Sequence, residues 1–219
     1  MLHPPPPGYI DLLSDAEDIQ PTGTYRPLDI PGIGTLQARK PGPSSVASLA
    51  LSASPSHPGL ERTDHLIQFV SMHLTPDSLE QLYLDMMLSK APAEGVETVA
   101  RAIATWGTAR PYVAVVTLAV MTGHHWRTLR QKLLAGGIAD PMTLPSMHVL
   151  LDHTEAVVTE ALSHGEDAKA ELDSFNRSLY GPTPDALRLN GPDYVPAGFS
   201  DEDVEASFDA FARAAPARG

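Results

Sequence analysis

The chain contains no cysteine, so disulfides, thiolate metal sites and thiol nucleophiles are excluded from the outset. Long apolar runs are also missing. The longest, Tyr112 to Met121, is interrupted by Thr117 and falls far short of the roughly 20 residues that span a bilayer, so it reads as a buried element with no membrane anchor. The first residues, Met-Leu-His followed by Pro4 to Pro7, lack the basic start and apolar stretch of a signal peptide, and the expectation is a protein that is not secreted. Positive charge is scarce. Fifteen Lys and Arg stand against twenty-seven Asp and Glu, and the net charge of −12 repels phosphate backbones. Nucleic acid is therefore not the expected partner.

That charge is unevenly placed. Between Thr98 and Ala139 the only ionic residues are Arg101, Arg110, Arg127, Arg130 and Lys132, so this segment carries +5 and leaves −17 on the rest. Such a basic patch could hold the acidic ends of the same chain or of a neighbour. The simpler reading is that these are solvated cations on amphipathic helices.

What is present in excess is proline and glycine, 21 and 16 of 219 residues, concentrated toward the two ends. Residues 1–60 hold the tetraproline, Pro31-Gly32, Pro41-Gly42 and the serines at 44, 45, 52, 54 and 56, and are predicted to form an extended arm. The tetraproline serves as a spacer or as a polyproline II ligand. Within the arm, Tyr9 to Ile19 carries Ile10, Leu12, Leu13 and Ile19 among acids and could dock as a short motif.

Residues 61–180 show successive helical periods. Asp64 is placed to cap a helix bearing Leu66, Ile67, Val70 and Leu74. Thr75-Pro76 starts a second, with Leu79, Leu82, Tyr83 and Met86 on one predicted buried stripe. Val96, Val99, Ala100, Ile103 and Trp106 mark a third, ended by Arg110-Pro111. The Tyr112 to Met121 run has the valines of a strand, but its length and neighbours favour a helix. Gly123 is predicted to divide it from a helix bearing Trp126, Leu129, Leu133 and Leu134 that closes at Gly136-Gly137. Helices from about Pro145 and from about Glu166 complete the set. The predicted fold is mainly α: a compact bundle of six to seven helices whose core includes Trp106, Tyr112, Trp126, Leu150 and Leu151.

Residues 181–219 give a Pro/Gly linker and then a short acidic helix capped at Ser200, with Val204, Phe208 and Phe211 on one face after Phe199. This stripe is the candidate partner-binding site, the alternative being that it folds back on the chain's own bundle.

No catalytic or metal pattern accompanies these elements. The nine histidines include no zinc-protease pair at i, i+4 with an intervening glutamate, the serines lack a glycine-framed elbow, and Gly32-Ile33-Gly34 is a turn, not a phosphate loop. No enzyme, metal or cofactor is expected. A helix-turn-helix built on Trp126 to Leu134 and the following helix would present Asp152, Glu155 and Glu160 to phosphates.

The run Ala109-Arg110-Pro111-Tyr112-Val113-Ala114-Val115-Val116-Thr117-Leu118 continues through His125-Trp126-Arg127-Thr128-Leu129-Arg130 and Gly137-Ile138-Ala139-Asp140-Pro141 to Leu144-Pro145-Ser146-Met147-His148. It resembles tail assembly chaperones of actinobacterial siphophages over about residues 95–215. The Pro-rich N-terminus departs from that pattern. The resemblance implies binding to the phage tape measure protein, the tail tube protein or both, in the cytoplasm of the bacterial host, with a second copy of the chain as a further partner. The rival readings are a structural virion protein whose arms lace neighbouring subunits, and a DNA-binding regulator.

Overall fold

The computed structural model describes residues 7–17, 19, 23–54, 59–165 and 167–182. It divides into two compact units, residues 1–168 and 169–219. The first unit contains α1 (Pro7–Ala16), β1 (Arg26–Ile30), β2 (Gly34–Ala38), α2 (Ser45–Ala53), α3 (Gly59–His73), α4 (Pro76–Met87), α5 (Gly95–Ala104), α6 (Tyr112–Ala135) and α7 (Met147–Leu162). Of the second unit, α8 (Ala168–Tyr180) is described, with Phe175 and Leu179 buried. The molecule is mainly helical, as its periodicity predicts.

The described residues of the first sixty fold into α1, β1, β2 and α2 in place of the expected extended arm. Three devices order them. First, α2 sits at the centre, with every residue from Ser45 to Leu51 buried. Its small side chains let α3 and α6 pack closely on it, and Ser48 and Ser52 satisfy their hydroxyls on the carbonyls of Ser45 and Leu49. A run of Ser and Ala that resembles a linker by composition is thus a core helix. Second, the proline-glycine pair at 31–32 makes the turn of an antiparallel hairpin in register Ile30↔Gly34 to Arg26↔Ala38, with Gly32 at φ 79. Ile30, Leu36 and Ala38 are buried, and the backbone of β2 carries on into bonds with the end of α3, Arg39 N–H donating to the His73 carbonyl and Thr75 N–H to Gln37. Third, α1 buries Tyr9 and Leu12.

Tyr9 lands on α6 at Gly123. A Cβ there would lie 2.7 Å from the Tyr9 ring, so the glycine makes room for a close approach and the helix runs straight through it. The predicted break at Gly123 is replaced by a kink at His125, where φ and ψ are −107 and 16. One further boundary also moves. Helix α3 begins at Gly59, so Asp64 lies inside it and caps nothing. Helix α4 does start at Thr75-Pro76, with Thr75 Oγ1 accepting from Ser78 N–H at 3.3 Å, but of its four stripe residues only Leu82 is buried.

The core gathers around α6, whose neighbours are α1, α2, α5 and α7. Trp126, Leu150 and Leu151 are fully buried alongside Tyr9, Leu49, Phe69, Ile103, Leu118 and Met147. Trp106 and Tyr112 are half-buried instead. Each stands at a helix end with a cation on its ring, Lys40 over Trp106 at 5.9 Å and Arg101 over Tyr112 at 4.9 Å, and a charge that stays hydrated keeps the ring near the surface. Between α6 and α7 the buried hydroxyls of Thr122 and Thr154 meet at 2.8 Å; one donates to the other, and the one that accepts donates in turn to the carbonyl of its own helix, Leu118 for Thr122 or Leu150 for Thr154.

Candidate functional site

Helix α4 is the least covered helix of the first unit. Its buried side, Ser78 and Leu82, faces β2 and α5; Ser78 Oγ accepts from the Gln37 N–H at 2.9 Å. At Gly95, the start of α5, a Cβ would lie 2.9 Å from Met86 Sδ, so the two helices touch through a glycine. The opposite side is apolar and open. Leu84 and Met87 are 47% and 83% exposed, and with Pro76, Leu79, Glu80 and Tyr83 they line a shallow trough of about 470 Å³, while Leu88, 55% exposed, follows at the helix end. Positions 76, 79, 83 and 87 follow the helical repeat, so this is one continuous stripe. Asp77, Glu80 and Asp85 flank it, with Asp85 accepting from Gln81 at 2.7 Å. A stripe of this kind, bare of any covering element among the described residues, is how a protein presents an apolar binding face.

A second apolar hollow lies between α1, α2 and α3. It holds about 670 Å³ and is walled by Ile10, Leu13, Ala47, Leu51 and Met72, with Ile10 and Leu13 exposed on α1.

The five cations of the basic segment do not converge on one free surface. Arg127 pairs with Asp11, and Arg130 with Asp15 at 3.0 Å, so two of them fasten α1 to α6. Asp15 also accepts from the Trp126 indole N–H at 2.8 Å. Arg110 bonds Asp152 at 2.6 Å and Glu155, while Lys132 pairs with Glu160, joining the start and the end of α6 to α7. Arg101 pairs with Glu97 one turn away at 3.2 Å. The Arg127 guanidinium holds the Asp11 carboxyl below the usual carboxylate range, and Lys132 does the same for Glu160. The acids that the helix-turn-helix reading would turn toward phosphates are thus occupied by this chain's own cations.

The one buried pairing with a catalytic look is Ser45 with His73. The Phe69 carbonyl can only accept, so Nδ1 of His73 carries the proton and Nε2 accepts from the Ser45 hydroxyl at 2.8 Å. Both residues are fully buried, no carboxylate backs the ring, and desolvation pushes the His73 pKa down to about 4. The pair ties α2 to α3. Among the described residues no group of three or more His, Cys, Asp or Glu could hold a metal ion, and no helix is long and apolar enough to cross a membrane.

Phe199, Val204, Phe208 and Phe211 lie outside the described residues, as do Pro4 to Pro6. The open face of α4 was not singled out by sequence reasoning. The predicted buried stripe of Leu79, Leu82, Tyr83 and Met86 shares only Leu79 and Tyr83 with it, and a periodic stripe shows which residues share a side and not whether anything covers them.

Comparison with known proteins places this geometry. No curated protein and no solved structure matches the chain. Residues 121–217 match a family of unknown function. The resemblance to chaperones over about 95–215 is thus met in that half by a family without an assigned role, and the chaperone signal sits at the other end, in the segment expected to depart from the pattern. Residues 2–111, half of the 219, match the model of a phage tail assembly chaperone protein family, and the chain belongs to that family.

Proposed function

We propose that the protein acts as a tail assembly chaperone by holding a tail component, the tape measure protein or the tail tube protein, against the open apolar face of α4 during assembly in the host cytoplasm. The observation that carries this reading is Met87, 83% exposed within a continuous stripe of Leu79, Tyr83 and Leu84 in the family-matched half. Apolar side chains buried on binding contribute by the area removed from water, and acids at the edges keep the unliganded chaperone soluble. The C-terminal stripe of Val204, Phe208 and Phe211 supplies a second contact on the linker of residues 181–198, and tethering raises its effective concentration. The work is binding, with no reaction step.

The test is co-expression with each tail protein and capture through a tag. Leu84→Asp with Met87→Asp should reduce capture at least tenfold at unchanged helicity and melting temperature, and deletion of residues 199–219 should weaken it further. Undiminished capture by the α4 double variant would remove α4 from the account. Mass spectrometry of purified particles separates this reading from a structural virion protein, since a chaperone is left behind when the tail is complete.

A further inference from the structure

On another part of the first unit, two cavities of about 530 and 280 Å³ share Lys40, Pro41, Trp106 and Ser146 and form one cleft at the start of α7. Lys40 is held there in an unusual way for an exposed lysine. Its stem runs along Gly107, where a Cβ would lie 2.9 Å from Nζ and 3.5 Å from Cε, and its ammonium sits over the Trp106 ring. Gly107 has φ 90, so the turn that makes this passage is one that other residues resist. Among the described residues Lys40 makes no ion pair. Beside it is His148, whose two ring nitrogens are buried and meet no partner at full hydrogen-bond geometry, with the backbone of Trp106 close enough to act on the ring. Burial pushes the His148 pKa down against the opposing effect of the Trp106 backbone, with the neighbouring Arg110 adding to the fall, so the neutral ring with its single N–H donor is favoured.

An ammonium held over an aromatic ring and, beside it, a buried imidazole short of a well-formed hydrogen bond call for an acceptor. The N-terminal end of α7, capped by Ser146, adds favourable potential for negative charge. Arg110 contributes little net charge because Asp152 and Glu155 already engage it. Among the described residues, the other cation of the cleft without a carboxylate partner is Arg26, in the larger cavity, whose walls include Met142 and Leu144. Cations converged on one point suit a phosphate dianion. Single cations set apart along apolar walls suit carboxylates spaced along a peptide.

We propose that the cleft at Lys40, Trp106 and His148 binds an acidic peptide segment, a carboxylate seated on Lys40 and His148 and an adjoining apolar side chain against Trp106. The site is independent of the α4 face and stands or falls separately from it.

The chain holds two tryptophans, Trp106 in the cleft and Trp126 in the core, which gives the test an internal reference. The full chain labelled with 5-fluorotryptophan is titrated with acetyl-Glu-Leu-Glu-amide, with its glutamine twin acetyl-Gln-Leu-Gln-amide, and with inorganic phosphate. The acidic peptide should move the Trp106 fluorine signal saturably and leave Trp126 in place. Lys40→Gln should weaken binding about tenfold, the loss expected for one charge-assisted bond, while Lys90→Gln leaves it unchanged. An equal response to the glutamine peptide, a response to phosphate alone, or affinity indifferent to Lys40→Gln would each overturn the assignment.

Discussion

At the scale of single residues, the fold turns on contacts too close for any other side chain. Gly123 lies in the middle of α6, where alanine is the better helix former by about 1 kcal/mol. Yet a methyl group there meets the Tyr9 ring at 2.7 Å. Gly123→Ala is therefore expected to destabilise by about 1–3 kcal/mol, the usual cost of overpacking, measurable by urea unfolding; a stabilised variant would show that Tyr9 does not sit where the structure puts it. The Ser45–His73 bond makes a second prediction. An unfolded histidine has a pKa near 6.5 and the folded one is pushed down to about 4, so the unfolded chain takes up the proton first as the solution is acidified. Stability is full above about pH 6.5 and falls as pH drops toward 4, by up to about 3 kcal/mol from this residue. His124 and His148, also pushed down by burial, act in the same direction. Asp11 and Glu160 lose their contribution at lower pH, since their carboxyls are held below their ordinary values. Unfolding at pH 7 and pH 5 should therefore differ in the wild type and differ less in His73→Gln. Equal pH dependence in the two would contradict the buried pairing.

At the scale of elements, α1 is where composition misleads. A helix that begins at Pro7 beside a proline run reads as part of a flexible arm, and only its partner explains it: Tyr9 and Leu12 are buried, Asp11 and Asp15 reach Arg127 and Arg130, and Asp15 holds the Trp126 indole. Deleting residues 1–17 should lower the melting temperature by about 10 °C, since the loss of a buried tyrosine alone is worth about 3 kcal/mol, whereas removal of an arm would leave it unchanged. Long-range partners of this sort are invisible to local reading. The same holds for α2, whose serines and alanines suit a central helix because their small size lets three helices crowd together. Elements whose evidence is local were plain in the sequence: the Thr75-Pro76 start of α4, the onset of α7 just after Pro145 and the turn at Gly32-Ile33-Gly34. The stripe predicted on α4, Leu79, Leu82, Tyr83 and Met86, shares only Leu79 and Tyr83 with its open face and leaves out Leu84 and Met87. The cleft at Lys40 and Trp106 left no sequence signal, because its residues come from four separate stretches of chain.

At the scale of the whole molecule, two family matches meet between residues 111 and 121, yet the first unit runs to residue 168. Helix α6, which follows that meeting point, packs on α1 and α2 from the other side of it, and Trp126 completes their core. The chaperone-matched segment is thus not a folding unit by itself. A fragment of residues 1–111 should show the broad, non-cooperative melting of an incomplete core, while residues 1–168 melt cooperatively; a well-folded 1–111 fragment would show that α6 is dispensable. The account as a whole places partner binding on α4, and hydrogen exchange on the full chain with and without its bound tail protein tests that most directly. The predicted result is protection concentrated in residues 76–88, and slowed exchange elsewhere with α4 unchanged would contradict it.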